Sequence, residues 1–289
     1  MFKNIYYLKN EKLAQYSTIN IGGNAKYIVF PKSLKELRQC IKITRENKQK
    51  VFVLGNGSNT LFDDDGFDGV VISLKNMQKI IKKQNYVIVD AGVNLFALNL
   101  KVKEWGLSGL EWSYGIPASI GGFVFMNGGC FGHEICEYIE EVSVLRNDKI
   151  IKFKRPQIQF GYRQSNIDGI IVSVKLKLVQ CPNDIIAENM NQALKTKREK
   201  QPCDKPSLGS VFKRVMTDKE IIYPAKMIDS LGLKGVKIGG AEISTKHAGF
   251  IVNVGGATSA DYIALMQFLR DKLAVYGVDV KNEIVILKK

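Results

Sequence analysis

The chain has few of the residues on which many enzyme mechanisms depend. Only two of its 289 residues are histidine, His133 and His247, so a mechanism that needs an imidazole base has just two candidates. The five cysteines are odd in number and include no CxxC pair, which argues against zinc or dithiol sites and is typical of reduced cytosolic thiols. There is no apolar run of about 18 residues, and the N-terminal stretch carries charges throughout. We therefore expect neither a membrane span nor an export signal.

The charge is strongly of one sign. The formal net charge is +14, and a basic field attracts phosphate polymers, so a nucleic-acid-binding protein is one hypothesis. The lysines are spread along the chain, however, without zinc-finger spacing or an aromatic-interleaved basic strand motif, which favours solvated lysine surfaces. We expect a cytoplasmic monomer that has neither nucleic acid nor a membrane as a partner.

The first half of the chain predicts an α+β arrangement. With 45% hydrophobic residues, the chain is large enough for two or three cores. Ser33 and Glu36 form a capping box that predicts a helix through residue 47, followed by buried strands at 51–54 and 70–73. A second unit begins with VIVDAG (87–92) and a helix at 95–106. Alternating segments at 139–146, 149–154 and 170–179 predict antiparallel strands of a second sheet.

The second half predicts a separate region. A helical pattern at 184–199 is broken by the proline-containing stretch 201–206, which marks the boundary. Helices near 224–231 and 259–276, the strand FIVNV and a last strand EIVIL follow. These boundaries divide the chain into regions 1–75, 76–185 and 186–289.

Two glycine loops are candidate ligand sites. GNGSN (55–59) follows a strand and offers backbone N–H groups for phosphate oxygens, although it is neither GxGxxG nor a Walker loop. GIPASIGG (115–122) has glycines for close backbone approach and precedes an apolar run that can start a helix. The alternative reading of GNGSN is a tight turn, and that of GIPASIGG is helix packing through small residues. Together the loops suggest a pyrophosphate held between them.

The segment FGYRQS (160–165) places Tyr162 beside Arg163, just before a strand. A guanidinium can bind a carboxylate through two hydrogen bonds while the phenol shapes the pocket. The alternative is an ordinary surface strand end.

The segment PSLGSVFKR (206–214) places Ser210 behind a glycine and ahead of Lys213 and Arg214. This order suits a hydroxyl that faces an anion, and a loop-to-strand turn explains it equally well. Glu283 is the only carboxylate in the last apolar strand, where it needs a partner. For Glu283 there are two hypotheses, a salt bridge and a catalytic carboxylate.

The order and spacing of these segments resemble one family over nearly the whole chain. The family is that of the UDP-N-acetylenolpyruvoylglucosamine reductases, flavoenzymes that complete UDP-N-acetylmuramate for peptidoglycan, and the absence of a large C-terminal insertion resembles its shorter subtype. The matching segments are INIGGNAKY (19–27), LGNGSNTLFDDDGFDGVVI (54–72), LSGLEWSYGIPASIGGFVFMNGGCFGHEI (107–135), FGYRQS, REKQPCDKPSLGSVFKR (198–214) and KMIDSLGLKGVKIGGAEISTKHAGFIVN (226–253).

The resemblance implies a fold and two cofactors. Regions 1–75 and 76–185 would form an FAD-binding fold of the vanillyl-alcohol-oxidase type, and region 186–289 would bind substrate. FAD would be bound non-covalently, with NADPH as the electron donor. The implied FAD contacts are Gly55, Asn56, Gly57, Ser58, Asn59, Gly115, Ile116, Pro117, Ser119, Gly121 and Gly122.

The resemblance also implies roles for the polar side chains. A hydride would pass from flavin N5 to the vinyl carbon of UDP-N-acetylglucosamine enolpyruvate, Arg163 and Glu283 would polarise the substrate, and Ser210 would donate a proton. The implied substrate contacts are Tyr162, Lys213, Arg214 and Asn253, with Lys246 and Arg198 as further candidates for the phosphates. A serine hydrolase would need an imidazole partner and a GxSxG motif, which Ser210 lacks. A same-fold FAD oxidase of another substrate remains an alternative.

Overall fold

The computed structural model describes residue 2, residues 4–218 and residues 220–289. Its helices are α1 (Leu34–Glu46), α2 (Leu95–Glu104), α3 (Ile120–Phe125), α4 (Asn183–Lys200), α5 (Pro224–Ser230) and α6 (Ser259–Ala274). Its strands are β1 (Tyr7–Lys12), β2 (Asn24–Val29), β3 (Lys50–Leu54), β4 (Thr60–Phe62), β5 (Phe67–Ser73), β6 (Ile80–Lys83), β7 (Tyr86–Asp90), β8 (Leu107–Ser108), β9 (Gly129–Cys130), β10 (His133–Glu134), β11 (Ile139–Arg146), β12 (Lys149–Lys154), β13 (Phe160–Gly161), β14 (Gln164–Ser165), β15 (Ile170–Lys177), β16 (Val179–Gln180), β17 (Ser207–Ser210), β18 (Val215–Met216), β19 (Ile221–Ile222), β20 (Lys237–Ile238), β21 (Ala241–Ile243), β22 (Phe250–Asn253) and β23 (Val285–Leu287).

Local sequence signals fix the helix ends. The Ser33 hydroxyl accepts a hydrogen bond from the Glu36 N–H at 3.2 Å, and the Glu36 carboxylate accepts one from the Lys32 N–H at 2.8 Å, so α1 begins where the capping pattern predicted. Pro224 is the first residue of α5, where its missing N–H costs nothing. Across the described residues, no helix is both long and apolar enough to cross a membrane.

The chain forms two compact units, and each is discontinuous in sequence. Unit 1 comprises the residues up to Lys9 together with Tyr27–Asn56 and Gly69–Thr196, and unit 2 comprises Asn10–Lys26, Gly57–Asp68 and Lys197–Lys289. The GNGSN loop is therefore divided, with residues 55–56 in unit 1 and 57–59 in unit 2. The division into three functional regions is not tested by this packing and stays a prediction.

Unit 1 is built on two sheets. Residues 7–9, 27–29, 50–54 and 69–73 form part of a sheet of strand order β1-β2-β5-β3, in which β3 and β5 run parallel. The other sheet has the order β12-β11-β15-β7-β6 with antiparallel neighbours throughout, as the alternating segments predicted. Its inward side chains, such as Val89 and Val174, are fully buried in an apolar core that also holds residues of α1 and α2.

Unit 2 is built on the antiparallel sheet β17-β22-β21-β20 and the long helix α6. Asp64 fixes the start of α6, because its carboxylate accepts hydrogen bonds from the Ser259 N–H, the Ser259 hydroxyl and the Ala260 N–H. The inner face of α6 contributes Tyr262, Leu265 and Leu269 to the core of this unit.

Two lysines form ion pairs with a buried carboxylate of an inner strand of this sheet. Glu242 of β21 has a side chain that is 6% exposed, and its two oxygens lie 3.1 Å from Lys205 Nζ and 3.0 Å from Lys237 Nζ. Burial alone raises the pKa of the Glu242 carboxyl, but the hydrogen bonds from Lys237 and Lys205 outweigh it, so the pKa lies below its ordinary value of 4.5.

Replacement of Glu242 by glutamine will change how stability depends on pH. Because the folded-state pKa is depressed, the carboxylate stabilises the fold fully above pH 4.5 and loses this contribution as the pH falls through the folded-state value. We expect Glu242→Gln to lower the free energy of unfolding at pH 7 by about 1–3 kcal/mol and to flatten its acid dependence. Urea unfolding between pH 7 and pH 3 measures both effects. If the free energy of unfolding falls with decreasing pH as steeply in the variant as in the wild type, the ion pairs of Glu242 do not stabilise the fold.

The core of unit 2 also contains a polar atom that is not hydrogen-bonded. Tyr262 is fully buried, its hydroxyl has no hydrogen-bond partner, and burial raises its pKa. We expect Tyr262→Phe to raise the free energy of unfolding by about 1 kcal/mol, because it removes a desolvated hydroxyl and keeps the ring. Tyr262→Leu is the control, since loss of ring volume should lower stability. A less stable Tyr262→Phe variant would show that the hydroxyl is bonded in solution.

Candidate active site

The first glycine loop approaches the second through its first two residues. A Cβ added at Gly55 would lie 2.5 Å from the Ser119 hydroxyl oxygen, and the Asn56 side-chain amide donates to the Pro117 carbonyl at 2.8 Å. Both contacts lie within unit 1. The predicted adjacency of the two loops therefore holds for residues 55 and 56.

Residues 57–59 of that loop are held within unit 2. Gly57 has φ +63°, and a Cβ there would lie 1.8 Å from the Tyr16 carbonyl oxygen, so a side chain does not fit. The Thr18 N–H donates to the Gly57 carbonyl at 3.2 Å. This part of the loop is packed against residues 16–18.

The second glycine loop leads into the short helix α3. Gly115 has φ +90°, and the Ser119 hydroxyl accepts a hydrogen bond from the Gly122 N–H at 3.5 Å. The Gly121 N–H donates to the Ala91 carbonyl at 2.9 Å, and a Cβ on Gly121 would lie 2.7 Å from the Ala91 Cβ. Close packing against the end of β7 therefore requires glycine at position 121.

These loops line a pocket of ≈ 260 Å³ within unit 1. Its walls combine glycine backbone and the Ser119 hydroxyl with apolar side chains, a surface suited to a group that has both phosphate oxygens and a ring. The donor chemistry therefore fits part of a dinucleotide such as FAD. The lining residues are Val53, Leu54, Gly55, Leu74, Ala91, Ser119, Gly121, Gly122, Phe125, Gly169, Ile170 and Ile171.

Arg163 lies at the turn of the hairpin formed by β13 and β14, and not simply ahead of a strand. Its φ is +55°, a conformation that is uncommon for a residue with a side chain and that is often kept at functional positions. One terminal nitrogen donates to the Gly129 carbonyl at 2.7 Å, and the guanidinium carbon is 4.8 Å from the Tyr162 ring centre. The cation is therefore held in a defined position next to Tyr162.

Asn127 supports this hairpin and carried no predicted role. It is fully buried, and its side-chain amide donates to the Gly161 carbonyl at 3.0 Å and to the Glu134 carboxylate at 2.8 Å. Its φ is +44°, and it lies in the MNGG segment (126–129), which belongs to the segment 107–135 that resembles the reductase family. An asparagine between an apolar run and two glycines was the available signal, because asparagine tolerates this conformation.

Ser210 ends strand β17 of unit 2 and pairs with Phe250 of β22. A register irregularity separates Ser207 from Ser210, and Gly209 within it has φ +81°. A Cβ at Gly209 would meet nothing within 4 Å, so glycine is needed for the backbone conformation and not for lack of space. Ser210 is half-buried at the end of this strand.

Glu283 lies close to this segment along the backbone. Its N–H donates to the Val211 carbonyl at 2.8 Å, and its carbonyl accepts from the Asn59 side chain at 3.1 Å. Unit 2 thus brings together Ser210, Glu283 and the end of the GNGSN loop. The expectation that Glu283 lies inside the last strand is wrong, because β23 begins at Val285 and Glu283 is half-buried in the preceding segment.

The other predicted substrate contacts lie in unit 2 but differ in how firmly they are held. Lys213 and Arg214 follow Ser210 and are half-buried, and the Lys213 N–H donates to the Lys281 carbonyl at 2.9 Å. The Asn253 side chain donates to the Ile19 carbonyl and accepts from the Gly255 and Ala257 N–H groups. The Asn253 amide therefore supports the loop after β22, and a role in substrate binding stays a prediction.

A methyl group at position 121 should weaken FAD binding. We expect Gly121→Ala to raise the dissociation constant for FAD at least about 10-fold, because Ala91 leaves no room for the new Cβ. Titration of the apoprotein with FAD, followed by flavin fluorescence, measures the change. The double variant Ala91→Gly with Gly121→Ala is the control and should recover part of the affinity. Unchanged affinity in the single variant would show that α3 does not set the flavin site.

Comparison with known proteins agrees with this architecture. A family model described as an FAD binding domain matches residues 25–152, and one described as UDP-N-acetylenolpyruvoylglucosamine reductase, C-terminal domain, matches residues 201–287. Reductases of that name from Thermotoga petrophila and Lactobacillus helveticus are 41% and 39% identical, each over 96% of this chain and 97% and 93% of their own. The crystal structure of UDP-N-acetylenolpyruvylglucosamine reductase from Thermus caldophilus matches with a TM-score of 0.82 and 30% identity over 98% of both chains. The predicted α+β fold with an FAD-binding domain is confirmed, and the chain belongs to the UDP-N-acetylenolpyruvoylglucosamine reductase family, a family of FAD-dependent oxidoreductases.

Proposed function

We propose that the protein reduces UDP-N-acetylglucosamine enolpyruvate to UDP-N-acetylmuramate, using bound FAD and NADPH, and so supplies a precursor of peptidoglycan. The observation that supports this most is the 41% identity to reductases of this name over 96% of the chain. We expect the enzyme to act in the cytoplasm as a monomer, without nucleic acid. Regions 1–75 and 76–185 serve FAD, and region 186–289 serves the substrate.

Glycine backbone in both loops would hold the FAD. Residues 55–59 and 115–122 are proposed to contact it, and among them Gly55, Ser119, Gly121 and Gly122 line the partly apolar pocket. The lack of side chains at Gly55 and Gly121 supports a close approach of the ligand to the backbone. When bound, FAD supplies the hydride acceptor and donor of the reaction.

Arg163 is proposed to stabilise charge on the substrate. Hydride addition at the vinyl carbon leaves a carbanion beside a carboxylate, and resonance places part of the new charge on the carboxylate oxygens. A cation already fixed by the Gly129 carbonyl and the Tyr162 ring needs little reorganisation to bind that group. It therefore stabilises the transition state more than the ground state.

Ser210 is proposed to donate the proton that completes the reduction. Its hydroxyl is a weak acid in water, but a substrate carbanion is a strong base, so the donor chiefly needs correct placement. The positive φ of Gly209 and the pairing of Ser210 with Phe250 support this proposal, because they fix the backbone that carries the hydroxyl. Glu283, whose backbone is bonded to Val211, is proposed as the second group that polarises the substrate.

The substrate is a polyanion, so nearby cations would add affinity. Lys213 and Arg214 directly follow the Ser210 strand and are proposed to contact its phosphates, with Lys246 and Arg198 as further candidates. Tyr162 and Asn253 complete the proposed substrate contacts.

The two half-reactions of Ser210→Ala test the function and the role of the serine together. We expect NADPH to reduce the flavin of this variant at nearly the wild-type rate, because no proton from Ser210 is needed. Reoxidation by the enolpyruvyl substrate should slow by about 10²–10⁴-fold. Anaerobic stopped-flow absorbance of the flavin measures each step separately.

Ser207→Ala is the matched control, because Ser207 lies in the same strand and should leave both steps unchanged. Equal loss of both half-reactions in Ser210→Ala would assign the serine a structural role. A wild-type enzyme whose reduced flavin reacts with oxygen and not with the enolpyruvyl sugar nucleotide would overturn the proposed function in favour of an oxidase.

A further inference from the structure

One face of the second sheet of unit 1 carries a regular set of lysines. Alternate residues of its three inner strands are buried, including Val87, Val142 and Leu176, so the residues between them lie on the opposite face. The strand pairing then determines which of these residues are neighbours. We call this opposite face of strands β12, β11, β15, β7 and β6 the lysine face.

The register arranges the lysine face in three rows across the sheet. They are Lys154-Glu141-Lys175-Ile88-Ile81, Lys177-Tyr86-Lys83 and Lys152-Ser143-Ser173-Asp90. The rows contain five lysines and two carboxylates. Four of the lysines are exposed, at positions 83, 152, 154 and 177, and Lys175 is half-buried.

The two carboxylates on this face offset two of its five lysine charges and leave a net positive charge. Glu141 is 3.1 Å from Lys152, whose side chain remains 65% exposed. Asp90 accepts a hydrogen bond from the Lys79 N–H, and burial raises its pKa. Lys175 Nζ lies 3.9 Å from the Tyr86 ring centre, which leaves its positive charge in place.

We propose that the lysine face docks on an anionic lipid surface. The face spans five strands of an open sheet, which suits a broad planar partner. Lys83, Lys175 and Lys177 are neighbours of Tyr86 in the strand register. Ile81 lies beside Lys83 on the same face, and its side chain is 47% exposed. Lysines around aromatic and aliphatic side chains are typical of proteins that lie on a membrane without crossing it. The sequence predicted no membrane partner because it has no apolar span, but a contact of this kind requires none.

A nucleic acid fits the same face less well. Single strands are bound in basic grooves by several aromatic rings, whereas the described rows contain one ring, Tyr86, which already contacts an ammonium group. The inference is independent of the proposed reaction, since no lysine of the face has a role in it.

Vesicle binding of the FAD-loaded protein tests the proposal. We expect the protein to co-sediment with vesicles of phosphatidylcholine and about 30% phosphatidylglycerol at low salt, but not with pure phosphatidylcholine. Replacement of Lys152, Lys154, Lys175 and Lys177 by glutamine should weaken partitioning on the order of 100-fold. Because exposed charges are screened, about 0.5 M NaCl should release the wild-type protein.

A second set of substitutions controls for net charge. The control variant carries glutamine at four exposed positions in and around α1, namely Lys32, Lys35, Lys42 and Lys48. It loses as much positive charge as the lysine-face variant, and we expect its vesicle partitioning to stay close to that of the wild type. If the quadruple variant fails to fold, the double variant Lys154→Gln with Lys177→Gln, at two exposed positions, replaces it. We expect this double variant to partition to the vesicles about 10-fold more weakly than the wild type. Circular dichroism and the reductase rate establish that each variant is folded.

Three outcomes would overturn the proposal. The first is no partitioning of the wild-type protein to anionic vesicles at low salt. The second is an equal loss in the lysine-face and control variants, which would indicate a general effect of charge. The third is tighter binding to a single-stranded oligouridylate that is lost only in the lysine-face variant, which would assign the face to nucleic acid.

Discussion

The pocket of unit 1 depends on a close approach between backbones. Gly121 donates to the Ala91 carbonyl, and no Cβ fits between them, so α3 can start only where β7 has just ended. Gly55 approaches Ser119 in the same way and brings the end of β3 to the same place. Two strand ends thus meet one helix start, and Gly55 and Gly121 place no side chain between them. The glycines that permit this packing are the same ones that are proposed to let FAD approach the backbone.

Unit 2 positions its polar groups by a different physical means. Ser210 is fixed by strand pairing and by the turn at Gly209, and Glu283 is fixed by its backbone bond to Val211. In both residues these contacts are made by the main chain. Because the backbone fixes Ser210, its hydroxyl can change hydrogen-bond partners without disturbing the fold, as the proposed proton donor must.

The sequence predicted structural features that depend on neighbouring residues and missed features that depend on distant ones. Capping at Ser33, Pro224 at the first turn of α5 and alternation in β15 each act within a few residues, and the structure confirms the elements that they predicted. Two features depend on distant parts of the chain, and both were missed. These are the division of the GNGSN loop between the units and the position of Glu283 ahead of β23. The left-handed conformation of Arg163 gave no signal either, because arginine carries no preference for it.

The net charge of +14 shows why composition alone could not distinguish among the charge-based hypotheses. Lysines that are equivalent in the sequence have different surroundings in the fold. Lys205 and Lys237 are paired with the buried Glu242, and Lys82 donates to the Trp105 carbonyl, whereas its sequence neighbour Lys83 lies on the opposite face of the sheet. Because side chains alternate between the two faces of a strand, a run of two lysines divides its charge between them. Strand register, and not the number of lysines, therefore determines where the protein can attract an anion.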